Sequence, residues 1–465
     1  MSRAWLLGFA YAAIAIALFA ARPASTPGPI ARDFEAYWSA GSTWSAHGDP
    51  YARTIWQAER RVPGVDARRD ELLPFINPPS TLPAWSAFAR LPYDVAAAVW
   101  LGVLVLTLLA FVFTVLLGST SPLTAFKLFA AIAMAIAFGP MTSDLALGQL
   151  ALPTLFGAAL LVVIADRSIP AAAAAAALAF AAPNVALGLA SQVNRTRAVL
   201  AIALGALASY GLGLWAAGWG WPVRYLKAAA AHGAAERFVM IQLTPGAIAY
   251  GFGAAPRAAL TLAAAAALLA AGAIILFIVC LREPFARFAG CSALVPFVAT
   301  FAHEHDLVVA FPAALWCALR TSGTTRALAL AGTLLVSIDW LGLAQRPTGI
   351  AQSGLLALAG ASAFVALGDR VDERSLLRPI FLVAGLFAAA AVLAAHHAAP
   401  VWPDALGAFH VPAGASAAAV WQAEQRAGGL LTVAPAWASL RALSLLGCAL
   451  LAYAIYRHSS YCRTA

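Results

Sequence analysis

Apolar runs of 17 to 25 residues recur from one end of this chain to the other, and no other feature constrains its fold as much. Each run is long enough to cross a ~30 Å hydrocarbon core as an α-helix. Backbone amides in hydrocarbon must be paired within the spanning structure, so helices and closed barrels are the only choices. A barrel would show short alternating segments, whereas these runs are continuous and rich in Ala and Leu. The chain is 62% hydrophobic and 11% charged, against about 25% charged for soluble domains. Too few charges are present to cover a water-facing surface. An all-α polytopic integral membrane protein is expected, with about 12 transmembrane helices.

Spans are expected near 4–21, 95–118, 124–140, 150–166, 197–216, 257–281, 287–303, 306–319, 326–343, 350–367, 378–398 and 437–456. The first reads as an uncleaved anchor, because many further spans follow it. The stretch 170–191 is long enough to cross but is interrupted at Pro183 and Asn184. Taken as a re-entrant or broken helix pair, it leaves the basic clusters on one side. These are Arg3, Lys127, Arg167, Arg195, Arg197, Arg282, Arg287, Arg320, Arg326, "GDRVDERSLLR", Arg457 and Arg463. By the positive-inside tendency that side is cytoplasmic, with both termini, and the expected location is the plasma (bacterial inner) membrane. The long loops 22–94 and 399–436 then face outward.

The net charge of +9 is spread over short interhelical clusters. No soluble domain carries a basic stripe, so nucleic acid is not an expected partner. The cysteines have no metal-site or disulfide spacing. In the first outer loop, "DFEAYWSAGSTWSAHG" gathers aromatics on one side of a helix, as an amphipathic element lying in the interface would. A turn at Asp49–Pro50, a second short amphipathic helix and a proline-rich stretch follow before the second span.

Seven segments in order resemble the family 87 glycosyltransferases, polytopic enzymes of the GT-C type. They are "DFEAYWSAG", "GDPYA", "NPPSTLPAWSAFARLPYDVAAAVW", "LALGQLALPTLFGAALL", "APNVALGLA", "LTPGAIAYGFGAAPRAALTL" and "ATFAHEHDLVVAFPA", covering residues 31 to about 315. Two positions depart from the family pattern. Ala182-Pro183 stands where a Lys-Pro pair is usual, and Asn77-Pro78-Pro79 replaces a Tyr-Pro-Pro triplet. The resemblance implies a GT-C-like catalytic module over 1–320, including loop 22–94, and a C-terminal set of helices over 321–465 with outer loop 399–436. It further implies transfer of a hexose such as mannose from a polyprenyl-phosphate donor to an extracytoplasmic glycan or glycolipid acceptor. The site would face outward, with membrane lipid as the remaining partner and no cofactor.

In that resemblance Asp33 takes the place of the catalytic base, which accepts a proton from the acceptor hydroxyl. On its own, Asp33 is equally an N-cap for the helix starting at Phe34. Arg32, Glu35 and Tyr37 join it as candidate substrate contacts, with Glu35 read as a solvated surface carboxylate. Gln149 could hydrogen-bond a sugar or close a helix end, and Asp144 lies nearby. "HEHD" is the densest ionisable cluster in the chain. His303, His305 and Asp306 are candidates for phosphate or acceptor contact, against a solvated helix junction. A divalent metal is not expected, since helical residues 303, 305 and 306 would not share a face and no i, i+4 histidine pair is present. The aromatic and basic residues of "WGWPVRYLKAAAAHGAAER" read as an interfacial belt, as do His396 and His397. A transporter or lipid flippase without covalent chemistry is the competing function, because broken helices serve that class too. A catalytically degenerate family member is the third.

Overall fold

The computed structural model describes residues 2–19, 29–65, 70, 72–119, 122–338, 340, 349–368, 373–395, 410–412 and 414–464. His396 and His397 lie outside the described residues, as does the first part of loop 399–436. The described residues form helices, with no strand among them. The longer helices are α1 Arg3–Phe19, α2 Phe34–Ser45, α3 Tyr93–Gly118, α4 Ala125–Ile136, α5 Gly139–Leu147, α6 Ala151–Ile164, α7 Ile169–Ala179 and α8 Thr196–Ala217. They continue as α9 Trp221–Glu236, α10 Pro256–Cys280, α11 Pro284–Ala293, α12 Phe311–Arg320, α13 Gly323–Ser337, α14 Gly349–Leu367, α15 Glu373–Ala395, α16 Ala417–Ala427 and α17 Pro435–Thr464.

Among the described residues, four helices are long and apolar enough to cross a membrane: α3, α8, α10 and the part of α17 over Pro435–Ser459. The bent pair α4–α5, folded by 70°, makes a fifth if it counts as one span. Four of the other expected crossings fall on shorter apolar helices, namely α1, α6 and parts of α14 and α15, and the interrupted stretch 170–191 begins with another, α7. The α4–α5 break has a local cause. Phe138 is extended before Gly139-Pro140, and a proline disfavours helix in the residues just ahead of it. The interruption expected at Pro183 is also there: α7 stops at Ala179, and one turn, Pro183–Ala186, leads into 3-10 helix over Leu187–Gln192. Small residues let α6, α7 and α8 approach closely. A Cβ on Gly157 would lie 2.6 Å from the Ala175 carbonyl oxygen, and one on Gly205 2.5 Å from the Ala176 Cβ.

Helix α2 differs from expectation. Every residue from Phe34 to Gly41 is buried, so protein rather than the membrane interface covers the first two turns of this helix on all sides, and only its last turn is partly exposed. The ring of Phe34 stacks on Trp100 at 6.0 Å, and Tyr37 stacks on Trp85 at 4.8 Å. Glu35 is fully buried rather than solvated, because its side of α2 faces the protein body too. The close approach is set at Gly41, where a Cβ would lie 2.3 Å from the backbone of Trp85. Two of the apolar cores among the described residues flank the candidate site. One is built on α6, α11, α12 and α13, and the other on α2, the first loop and Val420–Trp421 of α16. Leu145 packs against both, and the candidate site residues gather at this seam.

Candidate functional site

Two tight turns interlock beneath Asp33. Ala31 adopts a positive φ of 51°, which is uncommon for a residue with a side chain, and Asp33 then donates its backbone N–H to the Leu147 carbonyl at 2.9 Å. Opposite it, α5 ends at Gly148 with φ 73°, the left-handed ending that glycine favours. A Cβ on Gly148 would lie 2.8 Å from the Ala31 Cβ. The Gly148 carbonyl accepts Trp100 Nε1–H at 2.7 Å, and the Ala31 carbonyl accepts the Tyr93 hydroxyl at 3.2 Å.

This frame fixes the side chain of Asp33. It occupies the N-cap position of α2, yet its carboxylate makes no capping bond. Its Oδ2 instead accepts Gln149 Nε2–H, and Gln149 Oε1 accepts the Tyr37 hydroxyl at 2.6 Å. Burial pushes the Tyr37 phenol well above its usual range, and the charges of Asp33, Asp144 and Asp306 add to the rise. The phenol therefore stays a donor, which orients the Gln149 amide with its N–H toward Asp33. Asp33 is half-buried, and its Oδ1 has no hydrogen-bond partner among the described residues.

A second polar group is built on "HEHD". His303 precedes the 3-10 helix His305–Ala310, which continues into α12. Because His303 is not helical, the helical-face argument against a shared site does not hold. Ligand atoms of His303, His305 and Asp306 all lie within 4.8 Å of one another. Asp306 Oδ2 accepts the His303 backbone N–H at 2.9 Å, and Oδ1 accepts Asn184 Nδ2–H at 3.2 Å. The broken helix thus meets "HEHD" directly. Asn77 supports the break from the other side, donating Nδ2–H to the Ala181 carbonyl at 3.1 Å.

Behind His303 stands Glu236, at the end of α9 and 1% exposed. Its Oε2 lies 3.2 Å from His303 Nε2 and 3.4 Å from His232 Nε2, and it accepts Gln242 Nε2–H at 2.7 Å. Its Oε1 accepts Trp421 Nε1–H at 2.7 Å, from α16. Burial alone would raise the Glu236 carboxyl, but His232 and His303 hold it well below the usual range. For His303, burial works downward and is overcome by Glu236, with Asp306 and Asp33 adding, so the imidazole is pushed up to about 9. His305 goes the other way. Burial lowers it, and Asp306 offsets this only in part. The two neighbouring imidazoles are thus shifted in opposite directions, and both feel the charge of Asp33.

The structure thus brings together Asp33, Tyr37, Gln149, His303, His305 and Asp306, with Asn184. The Gln149 backbone N–H closes the end of α5 on the Asp144 carbonyl at 2.9 Å, while its side chain bridges Asp33 and Tyr37. Arg32 is half-buried in the turn before α2, and Glu35 is buried behind it. Glu236, Gln242, His232 and Trp421 were missed. Their one local signal is the His232–Glu236 i, i+4 spacing at the end of the segment read as an interfacial belt. Trp219, in the first part of that segment, is exposed as a belt residue would be. Asp144 is fully buried; its Oδ1 accepts the Leu152 N–H at 3.2 Å, and its Oδ2 has no partner among the described residues. No family profile, curated protein or solved structure matches this chain.

Proposed function

We propose that this chain is a membrane glycosyltransferase of the GT-C type, moving a hexose from a polyprenyl-phosphate donor to an extracytoplasmic hydroxyl acceptor. In this reading the shorter apolar helices complete about 12 crossings, and the site at the seam faces outward. The observation that carries it is the state of Asp33: Oδ2 is anchored by Gln149, while Oδ1 accepts no hydrogen bond among the described residues, and both His303 and His305 feel the charge of the carboxylate. An N-cap carboxylate serving only structure would bond the first turn of α2, and this one does not.

The acceptor oxygen attacks the anomeric carbon while the bond from that carbon to the phosphate oxygen breaks. The hydroxyl proton passes to Asp33 Oδ1, and the electron pair of the broken bond leaves with the lipid phosphate. Attack opposite the leaving group inverts the anomeric centre. A positioned carboxylate of this kind contributes about 10²- to 10⁴-fold. His303, His305 and the Asn184 amide supply the polar contacts for the phosphate or the acceptor.

The test is transfer of labelled hexose from a synthetic polyprenyl-phosphate donor by the purified chain in lipid nanodiscs. Loss of transfer in Asp33→Asn, with folding intact, supports the reading. Donor passage across liposomes without any covalent product would replace it with a transporter.

A further inference from the structure

The geometry points to a divalent transition-metal site held by His303, His305 and Asp306, with Glu236 behind it. Three potential ligand atoms, one from each residue, lie within 4.8 Å of one another. Ligands around a zinc-class ion stand about 3.5 Å apart, given bonds of about 2.0–2.2 Å, so the group closes on an ion by small side-chain rotations. Two histidines and a carboxylate form a donor set suited to zinc and its neighbours, with a fourth position left open.

Two further observations separate this group from a chance cluster. Metal-binding histidines characteristically give their other ring nitrogen to a carboxylate. His303 Nε2 lies 3.2 Å from Glu236 Oε2, which leaves Nδ1 for an ion. Glu236 is itself fixed by Trp421 and Gln242, so the ring is held in place from behind. The second observation is charge. Among the described residues, His232 and His303 face Glu236, and His305 faces Asp306 at 3.9 Å. A buried carboxylate is costly unless it is paired, coordinates a metal ion or takes a proton. A divalent ion at His303, His305 and Asp306 would add a cation beside Asp306 and close to Glu236. Its open position would take an oxygen of the leaving phosphate, a role that rests on the glycosyl-transfer reading, whereas the site itself does not.

Cobalt(II) chloride is the probe, added to the full chain purified in detergent and stripped with a chelator. The expected result is one Co²⁺ per chain with visible d–d bands, displaced by equimolar zinc. The bands should be lost in His305→Ala and Asp306→Asn and kept in His410→Gln, an exposed histidine outside the site. Glu236→Gln should weaken Co²⁺ affinity by about 10- to 100-fold. Absence of d–d bands in the unsubstituted chain overturns the site, and that reading does not depend on any variant folding. Bands that survive both ligand substitutions also overturn it. Bands present in a chain that transfers no sugar uphold the metal site and count only against the activity.

Discussion

Gln149 reaches across 116 residues of chain to donate its amide N–H to Asp33, and this bond decides which of the acid's two roles is filled. A carboxylate at an N-cap ordinarily turns to the N–H groups of the first helical turn. Here the Gln149 amide holds one oxygen away from that turn, and the other makes no hydrogen bond among the described residues.

Asp33→Asn therefore separates the two roles. Transfer from the lipid-linked donor should fall by about 10²- to 10⁴-fold. The unfolding midpoint in detergent should scarcely move, because no capping bond is lost. A large drop in midpoint would show that the carboxylate serves the helix after all.

Tyr37→Phe keeps the ring stacked on Trp85 but removes the hydroxyl that orients Gln149. With the amide freed, the anchored oxygen of Asp33 loses its position. The expected effect is a fall in kcat of about 10- to 100-fold with KM little changed. Equal loss in kcat and gain in KM would mean that the phenol binds substrate instead.

Gly41→Ala tests why α2 lies inside the protein. Its new methyl would meet the Trp85 carbonyl group at 2.3 Å, backbone that cannot swing aside. Overpacking of this kind costs about 1–3 kcal/mol, read as a lowered unfolding midpoint. Gly102→Ala on α3, where nothing lies within 4 Å, is the control and should be silent.

Trp421→Phe removes the N–H that satisfies one oxygen of the buried Glu236. Hydrogen bonds to charged groups contribute about 1.5–3 kcal/mol, so the midpoint should fall by that order. Limited proteolysis should also open the segment around α16 sooner than in the unsubstituted chain. Unchanged protection would place the anchoring of this segment elsewhere.

The helical character, with helices long and apolar enough to span a membrane, was legible because length and apolar composition act locally: a long run of Ala and Leu has few other fates. The break at Pro183 was legible for the same reason, since proline acts on its own backbone. What covers a helix is a different matter. The aromatic face of "DFEAYWSAG" serves equally for lipid and for protein, and only Gly41, with no side chain where Trp85 passes, hinted at the latter. "HEHD" was read as helical throughout, but the helix begins at His305, and that shift lets its side chains converge. Glu236 and Trp421 are 185 residues apart. No local pattern carries a pairing at that distance, so the support behind His303 was visible only in three dimensions.

The contact of Trp421 with Glu236 also bears on when the site comes into being. A chain threaded into the membrane from its N-terminus delivers Asp33 first, then Gln149, then "HEHD". The last support for His303 arrives only after all of them, carried by α16 from beyond the fifteenth helix. Until that helix emerges, the carboxylates gathered at the seam lack the indole that holds Glu236 in place. Partly synthesised chains are therefore left with an incomplete polar cluster, and its assembly is tied to the near-completion of synthesis rather than to the emergence of the acid itself.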